Sequence, residues 1–200
     1  KVTNYLLYKK SDIALFISDS LFKVKNEIVR MSNNYRVFKD FIDDKYFLNK
    51  KNNISNKKVN ILIAGSICEN KGQLEAVMAV NHLIKKDYNI CLTICGDKID
   101  ENYYNKIISF VNENKIDNDI KTFNFVQNIM DIRKDVDIEL ACSKHEGFGR
   151  TVLEAMASRT PIIGTNVPAI NEIIQDGING LLYEKGNWLE LSKRISFLIE

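Results

Sequence analysis

From Val59 onward, short apolar runs alternate with stretches in which apolar positions recur every three or four residues. The runs at 59–64, 90–95, 121–125, 137–142, 161–164 and 180–183 are rich in Ile, Val, Leu and Phe. Nearly all are continuous, as in strands covered on both faces. Between them, the segments 71–86, 101–114, 150–158, 169–175 and 187–199 read as amphipathic helices. In the first, Leu74, Val77, Met78, Val80, Leu83 and Ile84 make one apolar stripe for a sheet to cover. This order predicts an α/β chain with a Rossmann-like, doubly wound, mainly parallel sheet.

Residues 1–58 follow a different pattern. A strand-like run at 13–17, a helix-like stretch at 20–30 and a short apolar step at 37–38 precede an Asn-, Lys- and Ser-rich linker at 49–60. The expectation is a division into 1–50 and 51–200, the first part being either the last unit of a preceding domain or an edge addition to the second. The chain opens on Lys1, and an amphipathic pattern is still running at Glu200. Both ends are therefore expected to be cuts, the second inside the final helix.

Composition narrows the partners. The formal charge of +2 is small for 200 residues, and lysines are scattered rather than gathered in a stripe, which argues against nucleic acid. The abundance of Lys, Asn and Ile is what an AT-rich genome produces by itself. Cys68, Cys91, Cys95 and Cys142 lie in or beside apolar strands without metal-ligand spacing. Reduced core thiols fit best and imply a cytoplasmic setting. No apolar run is long enough to span a bilayer, and no secretory leader pattern opens the chain.

Two loops carry candidate chemistry. The first, Gly65-Ser66-Ile67-Cys68-Glu69-Asn70-Lys71-Gly72, leaves the strand at 59–64 and enters a helix, where free amides and the helix dipole favour an anion and Lys71 adds a charge. Alone this is weak, because a lysine in such a loop is more often simply solvated. The second loop runs from Ser143 through Glu146, Gly147, Phe148 and Gly149 into the helix that starts at Arg150. Glycines on either side of Phe148 permit positive φ or a close backbone approach, and Glu154 lies one turn inside the helix, able to reach back over its mouth. Two carboxylates beside exposed amides suit a ligand with a diphosphate between hydroxyl-rich ends. On spacing alone, Glu146 as a surface acid and Glu154 as an i,i+4 partner of Arg150 explain them equally well.

The wording of these loops resembles the C-terminal domain of the retaining glycosyltransferases of GT-B fold called family 4 (group 1). Glu146 and Glu154 meet that family's Glu-x7-Glu signature, and Pro161 to Thr165, Glu172 to Gly177 and Asn179 to Leu182 are similar to its downstream segment. Gly65 to Gly72 resembles its phosphate-side loop, and Ser11 to Ser18 and Val37 to Phe47 resemble its last N-domain strand and the crossing between domains. The resemblance implies that Glu154 holds ribose hydroxyls and Glu146 contacts the donor sugar. It further implies that Gly147, Phe148 and Gly149 place backbone near sugar and phosphates, that Lys71 neutralises the diphosphate, and that the amides of Thr151 and Val152 cap it. Residues 1–50 would then belong to the acceptor-side domain and linker, and 51–200 to the donor-binding domain.

The chain departs from the family's usual wording in three places. Ser66 stands where many members carry Arg, with Arg150 as the residue that would compensate; Val167-Pro168-Ala169 replaces a Gly-Gly step; Phe41 stands where a turn glycine is usual. The resemblance implies transfer of a sugar from a nucleotide donor of UDP or GDP type, with retained configuration and no required metal or cofactor. In keeping with this the chain has no Asp-x-Asp dyad. The acceptor would be a glycan or a lipid-linked glycan in cell-surface polysaccharide synthesis, with peripheral contact at the inner membrane face. Two rivals remain at this point: a GT-B-type sugar-nucleotide epimerase and a non-catalytic nucleotide-sugar-binding module.

Overall fold

The computed structural model describes residues 14–23, 35–37, 42–48 and 58–200. Six parallel strands form the main sheet: β3 (Val59–Ala64), β4 (Ile90–Cys95), β5 (Ile120–Phe123), β6 (Ile138–Ala141), β7 (Ile162–Thr165) and β8 (Leu181–Tyr183). Their order is β5-β4-β3-β6-β7-β8, with Ile61 paired to Leu92 on one side and to Ile138 on the other. The short strands β1 (Ala14–Phe16) and β2 (Tyr35–Val37) pair in parallel as a separate sheet. The expected doubly wound class is what the chain adopts.

Alternation along β3 explains why both faces are covered. Ile61 and Ile63 point into one cluster with Val77 and Val80 of α1 (Gln73–Ile84), Ile107 of α2 (Glu101–Asn114), and Leu191 and Ile195 of α6 (Trp188–Ile199). Leu62 points the other way, toward Val136, Ile129 and Ile132 beside α3 (Met130–Arg133). Farther along that second face, Val152 and Ala155 of α4 (Arg150–Ala157) meet Ala141, Ile162 and Ile170, the last from α5 (Pro168–Asn171). The inner strands β3, β4, β6 and β7 thus bury both of their sides, which is why their sequences are mostly apolar without a period of two, while the edge strand β5 leaves Lys121 and Phe123 exposed.

Several boundaries differ from the sequence expectation, each for a local reason. Lys71 closes a 3-10 turn, Glu69–Lys71, and α1 starts only at Gln73 because Gly72 takes a left-handed conformation at φ 67°. β5 stops at Phe123, and the amide of Phe125 donates to the Asp97 carboxylate at 3.2 Å instead of continuing a ladder. The helix expected at 169–175 is only four residues, Pro168–Asn171. Beyond it, the Asn179 side chain accepts from the Gln175 amide at 2.7 Å and donates to the Ile173 carbonyl at 3.0 Å, replacing the helical ladder. α3 was not anticipated, since four residues carry no readable period. Of the helix expected at 20–30, residues 19–23 are helical; 24–30, Phe41 and most of the linker lie outside the described residues.

The topology decides where a ligand can sit. β3 lies between β4 and β6, so the chain leaves β3 toward one side and β6 toward the other, and a crevice opens between the two departing loops. Glycines let the backbones meet there. A Cβ on Gly96 would stand 2.0 Å from the Gly65 carbonyl oxygen, and one on Gly72 would stand 2.3 Å from that of Cys142. Gly96→Ala is therefore expected to destabilise the chain by at least about 3 kcal/mol, since packed backbone has to move. Gly186→Ala, at φ 83° with nothing within 4 Å of the new methyl, should lower stability by only about 1 kcal/mol. Urea unfolding midpoints of the two variants check the contrast, and equal midpoints would refute it.

Candidate functional site

The two loops expected to carry chemistry meet at this crevice, and hydrogen bonds stitch them together. Asn70 accepts from the Lys144 amide on its carbonyl at 2.7 Å and from the His145 amide on its side chain at 3.1 Å, and it donates to the His145 carbonyl at 2.9 Å. Lys144 pairs with Glu69 at 2.7 Å. Behind the first loop, fully buried Gln73 donates to the Ser66 carbonyl at 3.0 Å and so fixes Gly65-Ser66 against the start of α1.

Across the seam Lys71 reaches Glu146, Nζ to Oε2, at 2.7 Å. Ser143 donates to the same oxygen at 3.0 Å and the Gly147 amide to the other at 3.1 Å. Burial alone would raise the Glu146 pKa, but the Lys71 ammonium, helped by Ser143 and Gly147, outweighs it and holds the carboxyl below its ordinary value. Glu146 is therefore an anion, already oriented, one ion pair away from the Lys71 loop.

Gly149 enters α4 at φ 87°, the left-handed conformation its neighbours' spacing allowed for. Gly147 is not in that region; its carbonyl instead accepts from Ser18 at 2.6 Å. Phe148 lies between them, half-buried. The Ser20 amide donates to Glu172 at 2.6 Å and the Ser20 hydroxyl also bonds that carboxylate, so residues 18–20 hold two separate loops at the crevice.

One expected amide has another use. The Val152 N–H donates to the Gly149 carbonyl at 3.0 Å, and its side chain is fully buried, so it does not face a ligand. The tightness of the first helical turn after a left-handed glycine is the reason. Thr151, half-buried, lines the cleft, and among the described residues its amide makes no such bond.

Glu154 is more heavily engaged than its spacing implied. Arg150 donates to Oε1 at 3.1 Å, the i,i+4 contact, but Arg133 also donates to Oε2 at 2.7 Å. Arg133 is fully buried and grips fully buried Glu139 with Nε at 3.0 Å and Nη2 at 2.8 Å. Burial opposes its charge, yet the two carboxylates outweigh burial and raise its pKa further. Sequence reasoning passed over Arg133, Glu139, Asn70 and Gln73. For the first two a signal was available: an acid inside the apolar run Ile138-Glu139-Leu140-Ala141 and an arginine after Ile129-Met130-Asp131-Ile132 demand each other once both are buried.

Arg133 and Glu154 border a cleft of roughly 340 Å³, walled also by Gly65, Ser66, Gly96, Val126 and Thr151, and the Lys71–Glu146 pair lies beside this lining rather than in it. A larger hollow of about 1000 Å³ lies between β8 and α6, lined by Ile178, Leu189 and Phe197. It also touches Pro161, Ile162 and Leu181, at the amino ends of β7 and β8. Ligands of open α/β sheets sit at the carboxyl ends, and the convergent polar groups are there too, so the smaller cleft is the candidate site.

The family described as glycosyl transferases group 1 matches residues 44–200 of the chain. The chain belongs to that family. As a group 1 chain it is 29% identical, over 90% of its length, to N-acetyl-alpha-D-glucosaminyl L-malate synthase of Bacillus anthracis, of which it covers 48%. It is 25% identical, over 84%, to the capsular polysaccharide biosynthesis glycosyltransferase CapM of Staphylococcus aureus, of which it covers 44%. It thus spans about half the length of these curated relatives. Among solved structures, Anabaena Alr3699/HepE in complex with UDP and glucose superposes with a TM-score of 0.89 at 18% identity, over 99% of this chain and 57% of that one. The C-terminal domain of the group 1 protein LpcC from Francisella tularensis superposes with a TM-score of 0.71 at 27% identity, over 80% of this chain and 88% of that one. The fold is one half of a GT-B fold, as the sequence resemblance implied.

The Lys71–Glu146 pair sets a pH signature. A carboxyl whose folded pKa lies below its ordinary 4.5 contributes stability that is complete above 4.5 and is lost as pH falls through the lower folded value. The melting-temperature gap between the parent chain and Glu146→Gln is expected to stay constant from neutral pH down to about 5 and to shrink in more acid buffer. A gap that does not shrink there would contradict the pairing.

Proposed function

We propose that residues 51–200 are the donor-binding domain of a retaining glycosyltransferase, residues 1–50 being the end of its acceptor-side domain and the linker between the two. The observation that carries this reading is the Lys71–Glu146 ion pair at the switch point of the sheet, which joins the two loops beside the cleft that Gly65, Ser66, Thr151 and Glu154 line. Such a cleft suits a nucleoside diphosphate sugar. Glu154 takes ribose hydroxyls, Glu146 takes hydroxyls of the sugar, and Lys71 with the Thr151 amide takes the diphosphate.

In the reaction proposed, the acceptor hydroxyl attacks the anomeric carbon on the face the diphosphate leaves. The bond to the phosphate oxygen breaks, and that oxygen takes the acceptor's proton. Charge builds on the leaving diphosphate, so a cation fixed in advance lowers the barrier. Lys71 is that cation. When a diphosphate arrives, the ammonium that Glu146 holds is shared with it, which leaves the Glu146 carboxylate turned toward the sugar. Ser66 offers no charge where relatives often carry Arg; Arg150, at the first position of α4 with its side chain 55% exposed, is proposed to supply it. No metal is needed for these steps. The nucleotide is of UDP or GDP type, and the acceptor a glycan or lipid-linked glycan of a cell-surface polysaccharide, in line with the capsule-synthesising relative. Among the described residues no helix is long and apolar enough to cross a membrane, so contact with a membrane-borne acceptor would be peripheral, from the cytoplasmic side.

Calorimetric titration of the chain with UDP, GDP and their sugar conjugates tests this. Glu154→Ala is expected to weaken binding of every nucleoside-containing ligand by roughly tenfold or more. Lys71→Ala should weaken diphosphates by a similar factor and leave free nucleosides unaffected. Arg150→Ala should behave as Lys71→Ala does if it replaces the missing arginine, and unchanged diphosphate affinity would remove that role. If parent and all variants bind every nucleotide equally, the site assignment fails. Product analysis of the complete enzyme separates glycosyl transfer from epimerisation of the sugar nucleotide.

A further inference from the structure

Glu139 sits in the middle of a strand buried on both faces, where an apolar side chain of its size would leave the fold at least as stable. Its carboxylate takes the guanidinium of Arg133 from the side, through Nε at 3.0 Å and Nη2 at 2.8 Å. Two parallel bonds fix the plane of the guanidinium. Nη1 is then aimed at Glu154 Oε2, 2.7 Å away. The Tyr46 ring, 5.6 Å from the guanidinium carbon, covers the group from the linker side.

The consequence falls on the ligand side. With Oε2 tied to the floor, the Glu154 carboxylate cannot rotate, and Oε1 is the oxygen toward Arg150, whose half-exposed side chain solvent can replace. A carboxylate oxygen accepts more than one hydrogen bond, so an Oε1 held in place suits a ligand that presents hydroxyl donors side by side. A carboxylate that is free to turn would bind such a pair with a larger entropic loss than one already held.

We propose that Arg133, locked by Glu139, is a positioning residue that presents Glu154 Oε1 to the vicinal hydroxyls of the ligand's ribose, so that selection for a ribonucleotide is built from beneath the cleft. This rests on the donor-site reading above and adds to it the residues that set sugar selectivity in the nucleoside half. Arg133 acts through Glu154.

The test compares UDP and GDP with their 2′,3′-dideoxy counterparts by calorimetry on the 200-residue chain, the parent being measured first. The parent is expected to prefer the ribose form by roughly tenfold or more. The double variant Arg133→Met/Glu139→Leu removes the buried cation and anion together and leaves Glu154 paired with Arg150. In it the preference should fall to about twofold or less while affinity for the dideoxy forms changes little, a pattern that a general loss of packing does not produce. Arg133→Lys is the second variant, read if the double variant fails to give a cooperative melt. An ammonium cannot hold both carboxylates in one plane, so the preference should again fall. A double variant, or in its place Arg133→Lys, that keeps the parent's preference overturns the positioning role alone. A parent that shows no preference for ribose overturns it together with the reading of Glu154, and that outcome is visible before any substitution is made.

Discussion

Between Gly72 and the carbonyl of Cys142 there is no room for a side chain, and the crevice exists because of that contact. The turn after β3 can lie flat on the end of β6 only if its last residue lacks a Cβ and accepts φ 67°. With the turn in place, Asn70 can bridge to 144–145 and Lys71 can stand opposite Glu146. Gly65 and Gly96 do the same between β3 and β4 on the other side of the crevice. Three backbones are drawn together at one end of the sheet, and the charges follow the backbones.

Charge balance is the second constraint, and it is met in two separate ways. The Lys71–Glu146 pair is partly exposed and can be opened at small expense by an incoming anion. The Arg133 cluster is enclosed, its guanidinium held between Glu139 and Glu154, and Glu154 also reaches a cation nearer solvent, Arg150. One carboxylate of the Glu-x7-Glu pair is thus held loosely and the other rigidly. That division matches what a diphosphate with a sugar at each end requires: a fixed end for the nucleoside, an adaptable end where bonds change.

How much of this was readable in the residues follows from how far each signal reaches. The inner strands were legible because burial on both faces leaves continuous apolar runs, and α2 runs over the bounds its pattern gave, 101–114, where the structure shows Asp100 capping the Tyr103 amide and Lys115 turning left-handed. The site loops were legible as wording, through Glu146, Glu154 and the intervening glycines. Interactions between distant residues were not. Arg133 and Glu139 were passed over because their need for each other arises only after α3 folds over β6. The Val152 amide, expected to cap the diphosphate, donates here to the Gly149 carbonyl because the turn after Gly149 is tighter than an ideal helix start. Serines 18 and 20 could not be placed at all, since only the fold carries them to Gly147 and Glu172.

The enclosed cluster also constrains how such a chain can change over generations. Losing Arg133 by itself leaves Glu139 a buried carboxylate without the guanidinium that holds it, a loss of roughly 3–5 kcal/mol. That is a large part of what a domain of this size has to spare. Losing Glu139 first is milder, because the guanidinium keeps its bond to Glu154. A lineage that discards the pair therefore sheds the acid before the cation, and one that acquires it gains them in the reverse order.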